Sequence, residues 1–194
     1  QAHEKLKAGA NAAPEDRYLQ RHLKRYEKTA KIEDELTPEK KDQIIRWAGG
    51  TVDERVRACA LLEHHADWRA GGIIEPLLTD FDPQVRYAAV KALGPMGANE
   101  ATTRRDKVES DCAELLKQVL ERCARESKEV LRQAIDSLKV IGPKGASSLL
   151  PVFILKGPKG QAGCDDPEIR HDAVVALREI GSVESLGYLF LVLD

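Results

Sequence analysis

The sequence predicts an all-α chain, an α-solenoid of stacked antiparallel helix pairs. Three observations predict it. One phrase occurs twice, as DPQVRYAAVKALGPMG at Asp82 to Gly97 and as DPEIRHDAVVALREIG at Asp166 to Gly181, and an internal repeat of this kind marks stacked supersecondary units. Within each copy the apolar residues recur three and four positions apart, the period of one helix face. Aromatic residues make up only 5% of the 194 residues, while Ala, Leu and Val dominate the apolar set. That composition suits closely packed helices better than a β-sandwich.

The elements follow in order. Residues 1–13 read as a disordered tail. Residues 14–50 read as a degenerate N-terminal capping helix pair. Its first helix is charged, with a thin stripe of Tyr18, Leu19, Leu23, Tyr26 and Ala30. Its second starts with Thr37 as N-cap and Pro38 in the first turn and stops at Gly49-Gly50. Four units then fill 51–194, as 51–81, 82–126, 127–164 and 165–194.

A β-branched marker recurs as Val56, Val85, Val130 and Ile169. Three residues before it stand Asp53, Asp82, Ser127 and Asp166, all residues that cap helix N-termini. Thr51 and Glu54 also form a capping-box pattern. Four residues after the marker come Ala60, Ala89, Ala134 and Ala173. Eight after it come His64, Leu93, Leu138 and Leu177. Gly97, Gly142 and Gly181 close three copies as helix stops. A second apolar segment follows each first helix, at Ile73 to Leu78, Cys112 to Cys123, Leu149 to Leu155 and Val183 to Leu193. The marker spacings are 29, 45 and 39 residues, so the longer units carry insertions, at Ala98 to Asp111 and Lys156 to Asp166. Insertions of this kind map to the edges of a solenoid.

The phrase D-P-x-V-R-x-x-A-V-x-A-L-x-x-I-G resembles the signature of HEAT repeats, in the short bilin-lyase-type HEAT-like form, over roughly Thr51 to Asp194. The resemblance implies the helix-pair fold and leaves function open, because such repeats host unrelated roles. It also implies a polar ladder between neighbouring units, made by the helix-start Asp and the Arg after the marker: Asp53 with Arg57, Asp82 with Arg86, Asp166 with Arg170. The third unit has Ser127 and Leu131 instead, so the ladder is expected to break there.

Several chemistries are weighed and set aside. The net charge is −2, which does not suit a polyanion binder held by charge. Lys139, Lys144, Lys156 and Lys159 form a locally basic stretch, read as a solvated edge. The four cysteines include no C-x-x-C pair. Cys112 and Cys123, on one helix about 16 Å apart, are too distant to bridge. Cys59, Cys112 and Cys123 read as small buried apolar residues and Cys164 as a loop residue, which favours a cytoplasmic or other reducing compartment. The chain begins with Gln, and export after N-terminal processing stays open.

His171-Asp172 resembles the His-Glu pairs of HEAT-like deoxyhypusine hydroxylases, whose repeats bind two irons. The matching positions elsewhere are Ala58-Cys59, Tyr87-Ala88 and Arg132-Gln133, and one pair does not build a dimetal site. His64 and His65 are adjacent on a helix and point about 100° apart, so they do not chelate one metal well. His64 reads as a packed core histidine. The two GPKG stretches, at Gly142 to Gly145 and Gly157 to Gly160, lack the G-K-[ST] of a phosphate loop and read as turns. No catalytic residue, cofactor or metal is expected, and nucleic-acid binding is not favoured.

What remains is a non-catalytic protein-binding scaffold or assembly subunit. Its expected contact residues lie on the second helices, at Glu114, Lys117, Gln118, Glu121, Arg122 and Arg125. Others lie at the apolar C-terminal end, at Tyr188, Phe190 and Leu193. That end is expected to meet a partner or a second copy, the latter giving an oligomer or a filament. The alternatives are a metal-dependent HEAT-like enzyme centred on His171 and Asp172, or a HEAT-like nucleic-acid binder.

Overall fold

A computed structural model describes residues 37–67, 71–99, 105–153, 164 and 166–181. All belong to one compact unit that begins at Leu36. The tail, the first capping helix and the C-terminal segment expected over 1–36 and 183–193 lie outside the described residues.

Among the described residues the chain is helical throughout. The helices are α1 (Pro38–Ala48), α2 (Val52–His65), α3 (Gly71–Leu77), α4 (Pro83–Ala98), α5 (Arg105–Leu120), α6 (Lys128–Ile141), α7 (Pro143–Phe153) and α8 (Pro167–Ile180). A 3₁₀ turn at Cys123–Arg125 follows α5. The first helices α2, α4, α6 and α8 stack side by side in one layer. Behind them α3, α5 and α7 pack on their own first helices, α5 lies against α7, and α1 joins this second layer against α2 and α3. The core is the seam between the layers, where Leu62, Leu93, Leu116, Leu120, Leu138 and Leu149 are fully enclosed.

Capping chemistry sets the helix starts. The Asp82 carboxylate accepts from Gln84 N at 2.8 Å and the Asp166 carboxylate from Glu168 N at 2.9 Å, each with proline in the first turn. Ser127 caps α6 by accepting from Val130 N. In the first unit the capping box read from Thr51 and Glu54 forms, and the cap read at Asp53 does not. Its N-cap is Thr51, in a reciprocal capping box with Glu54, so α2 begins earlier and Asp53 lies inside the first turn. Two bonds fix that start, where Asp53 could have offered one.

The start, two residues earlier relative to the marker, accompanies a two-residue shift of the buried stripe. In α2 the enclosed residues are Ala58, Cys59, Leu62 and His65. In α4, α6 and α8 they include the marker and the residues four and eight beyond it. Thus His64, expected in the core, is exposed and His65 is buried, while Ala60 faces outward and Val56 is only partly covered.

Gly142 and Gly181 end their helices with positive φ, 94° and 64°, as predicted. Gly97 does not. It lies inside α4, which runs on to Ala98. Its function is close approach: a Cβ there would sit 2.8 Å from the Ile141 side chain and 2.9 Å from Cys112 Cβ. Gly94 likewise lets α4 approach Ser137 of α6, whose hydroxyl donates to the Val90 carbonyl at 2.9 Å. Two predicted loops are also partly helical. α5 begins at Arg105 because Val108 continues the apolar period of Cys112 and Leu116 upstream. In the first GPKG stretch only Gly142 turns, and Pro143 opens α7.

Candidate functional site

The predicted contact row lies on α5 and just beyond it. Glu114, Gln118, Glu121 and Arg125 are exposed, and Lys117 and Arg122 are half-buried. Lys117 is 3.3 Å from Glu114 and 4.0 Å from Glu121, so the row pairs its own charges. Arg122 has a structural role as well. Its guanidinium donates back to the Gln118 carbonyl of α5 and to the Leu78 carbonyl at 3.3 Å. Tyr188, Phe190 and Leu193 lie outside the described residues.

Arg122 is one of three arginines that converge on the connection between α3 and α4. Arg55 reaches the Asp80 carboxylate at 2.7 Å and the Gly50 carbonyl at 2.6 Å. Arg86 donates to the carbonyls of Asp80 and Phe81 at 2.7 and 3.0 Å. Asp80 in turn accepts from Asp82 N at 2.9 Å. Charge-assisted bonds of this kind hold a loop in one geometry. On the loop they hold, Phe81 is fully exposed.

Beside this connection the first-helix layer carries an apolar groove of about 670 Å³. Val56 and Ala60 of α2, Tyr87 and Ala88 of α4, and Val130 of α6 line it, and Glu63 and Lys91 also border it as an ion pair 3.1 Å apart. The rotated stripe of α2 explains part of it, because Val56 and Ala60 are turned out of the seam and into the groove. Sequence reasoning placed both in the core and missed the groove. The available signal was Tyr87-Ala88, apolar where two other units carry Arg132-Gln133 and His171-Asp172.

The polar ladder exists with different partners. Asp82 and Asp166 cap their own helices. Arg86 grips Glu126, the last residue of its own unit, with two bonds, 2.7 and 2.8 Å. Glu126 stands directly before Ser127, the N-cap of α6. Glu126 raises the Arg86 guanidinium above its usual range, mainly through these bonds. Between α6 and α8, Lys128 meets Asp166 at 2.8 Å, Arg132 meets Asp172 at 2.9 Å and Lys139 meets Glu179 at 2.7 Å. The Lys128 bond and the two capping N–H groups hold the Asp166 carboxyl below the usual aspartate range.

These pairs involve two stretches singled out in the sequence. Asp172 of the His171-Asp172 pair is engaged by Arg132 while His171 is exposed, and the described residues hold no group of three or more His, Cys, Asp or Glu arranged for a metal ion. In the basic stretch, Lys139 and Lys144 are paired, Lys144 with Glu109 at 3.6 Å; Lys156 and Lys159 lie outside the described residues. No helix among those described is long and apolar enough to cross a membrane.

The cysteines overturn their sequence reading. Cys123 and Cys164 are joined in a disulfide, with Cα atoms 5.5 Å apart, and Cys164 is buried. Cys59 and Cys112 are free and buried, as expected. Burial, helped by the Asp80 charge, pushes the Cys59 thiol up to about 12, and burial raises Cys112 too.

The fold and its ladder define the class: an all-α array of helix pairs whose first helices stack and whose second helices back them. The particular repeat follows from comparison. A family model described as PBS lyase HEAT-like repeat matches residues 85–122, which run from the marker of α4 through α5. The chain therefore carries HEAT-like repeat structure. No curated protein matches the chain at a significant level.

Proposed function

We propose that the chain is a non-catalytic protein-binding scaffold or assembly subunit. The observation that supports this most is the groove across α2, α4 and α6, together with Phe81 held outward on its arginine-bound loop. Interfaces draw their affinity from a few aromatic anchors on preorganised backbone, and Phe81 and the partly exposed Tyr87 have that character. HEAT-like repeats commonly serve as interaction scaffolds, which supports the same reading.

This reading adds a surface on the first-helix layer to the row the sequence put on the second helices. The α5 row is a self-paired charged surface, whereas the first-helix layer offers apolar area. The apolar C-terminal segment with Tyr188, Phe190 and Leu193 remains part of the proposal as a second contact, for a partner or for another copy.

Photo-crosslinking tests the reading. A benzophenone amino acid replaces Tyr87 in one variant and Gln118 of α5 in another, in the native host. The expected result is discrete adducts from position 87. Adducts only from position 118 move the site to the second layer, and none from either position refutes the scaffold. Light scattering across a concentration series checks self-association, and a monomer at high micromolar concentration removes that part.

A further inference from the structure

We propose that Cys123 and Cys164 are the chain's site of thiol oxidation, a permanent staple installed in an oxidising compartment. The geometry that carries this is where the two ends lie. Cys123 opens the 3₁₀ turn after α5. Cys164 stands two residues before Asp166, the N-cap of α8. The bond spans a sequence separation of 41 residues and encloses α6 and α7 entirely. It ties the end of the second unit to the last residue of the third, closing a loop around the helix pair of the third.

The same junction is fastened without covalent help, since Lys128 at the start of α6 bonds Asp166. The polar pair and the disulfide thus define one docking position for α8. The Cα separation of 5.5 Å lies in the range that a disulfide bridges without backbone movement. The remaining two cysteines do not compete, because both are buried in the helix seam with thiols that resist ionisation, and the thiolate is the reactive form.

The chemistry is thiol–disulfide exchange with an external disulfide, that of glutathione or of a dithiol oxidoreductase. One cysteine thiolate attacks it, forming a mixed disulfide and releasing one donor thiolate. The second cysteine thiolate then attacks the mixed disulfide, closing the Cys123–Cys164 bond and releasing the other donor thiolate. Two cysteine thiols are oxidised and one donor disulfide is reduced to two thiols. Disulfides that persist are characteristic of oxidising compartments.

The test uses the full chain, exported to an oxidising compartment of its host and purified without reductant. Denatured in maleimide and weighed, it is expected to carry two adducts, on Cys59 and Cys112, and four after phosphine reduction. Trypsin should yield a linked pair of peptides, residues 123–125 with 160–170. Thermal unfolding with phosphine should occur about 8–16 °C below unfolding without it, from the chain entropy of a loop of this length. The variant carrying Cys123→Ser and Cys164→Ser should show the lower midpoint in both conditions. If that variant does not fold, the wild-type scan with reductant carries the test. Four adducts without reductant, or a linkage through Cys59 or Cys112, overturns the assignment. A midpoint that reduction leaves unchanged overturns the staple.

Discussion

Replacing Glu126 by alanine should destabilise the chain far more than a loop residue ordinarily does. The Glu126 side chain is 5% exposed and that of Arg86 16%. The two share bonds of 2.7 and 2.8 Å, and Arg86 also holds the carbonyls of Asp80 and Phe81. Removing one partner of a buried, bidentate pair costs about 3–5 kcal/mol, because the other charge stays behind without its counterion. Arg86 keeps its two carbonyl acceptors when Glu126 is lost, so Glu126→Ala belongs at the low end, about 3 kcal/mol. Arg86→Ala leaves both the carboxylate and the carbonyls short of donors and belongs near 4 kcal/mol.

For a unit of this size, 3 kcal/mol lowers the midpoint by about 6–12 °C. Urea unfolding of both single variants and the double variant supplies a cycle, whose coupling energy should be about 2 kcal/mol. Single losses below about 1 kcal/mol, or a double variant equal to the sum of the singles, would show that the pair does not set the junction.

Other outcomes follow from the same contacts. Gly97→Ala forces a Cβ against Ile141 and Cys112 and should cost about 1–3 kcal/mol as overpacking, measured by chemical denaturation; a neutral result would mean α4 and α5 are free to part. Phe81→Ala removes a fully exposed ring, so stability should stay within about 0.5 kcal/mol while crosslinked adducts at the groove decline. The Asp166 carboxyl is held below its usual range in the folded chain, so its contribution is present above the unfolded pKa of about 3.9 and is lost as pH falls through the lower folded value. The midpoint difference between the wild type and Asp166→Asn should therefore shrink below about pH 4, and a difference that holds constant into acid contradicts the assignment. Cys59 and Cys112 should resist maleimide in the folded chain and react only on denaturation.

The helix-pair plan was legible because it is written locally: capping residues, prolines in first turns and a 3.6-residue apolar period. α4, α6 and α8 start at Pro83, Lys128 and Pro167, directly after the caps read from Asp82, Ser127 and Asp166. The groove was not legible. It arises from a two-residue shift of the buried stripe in α2, and the first unit offers two competing caps, Thr51 and Asp53, whose ranking depends on the Glu54 partner. The ladder was misassigned for a related reason. Asp82 caps its own helix while Arg86 pairs with Glu126, 40 residues away in sequence, and Asp166 both caps α8 and takes Lys128 of the preceding unit, partners that no single-unit motif specifies. The disulfide joins residues that the linear order separates by a complete helix pair, and no spacing rule reaches that far.

The near-contact of α4 with α6 at Gly94 has a mechanical consequence. Where two backbones meet with almost no side chain between them, nothing compressible separates them, so that joint behaves as a fused vertebra. Any flexing of the stack under load must then concentrate at the joints on either side, where longer side chains can lean and recover.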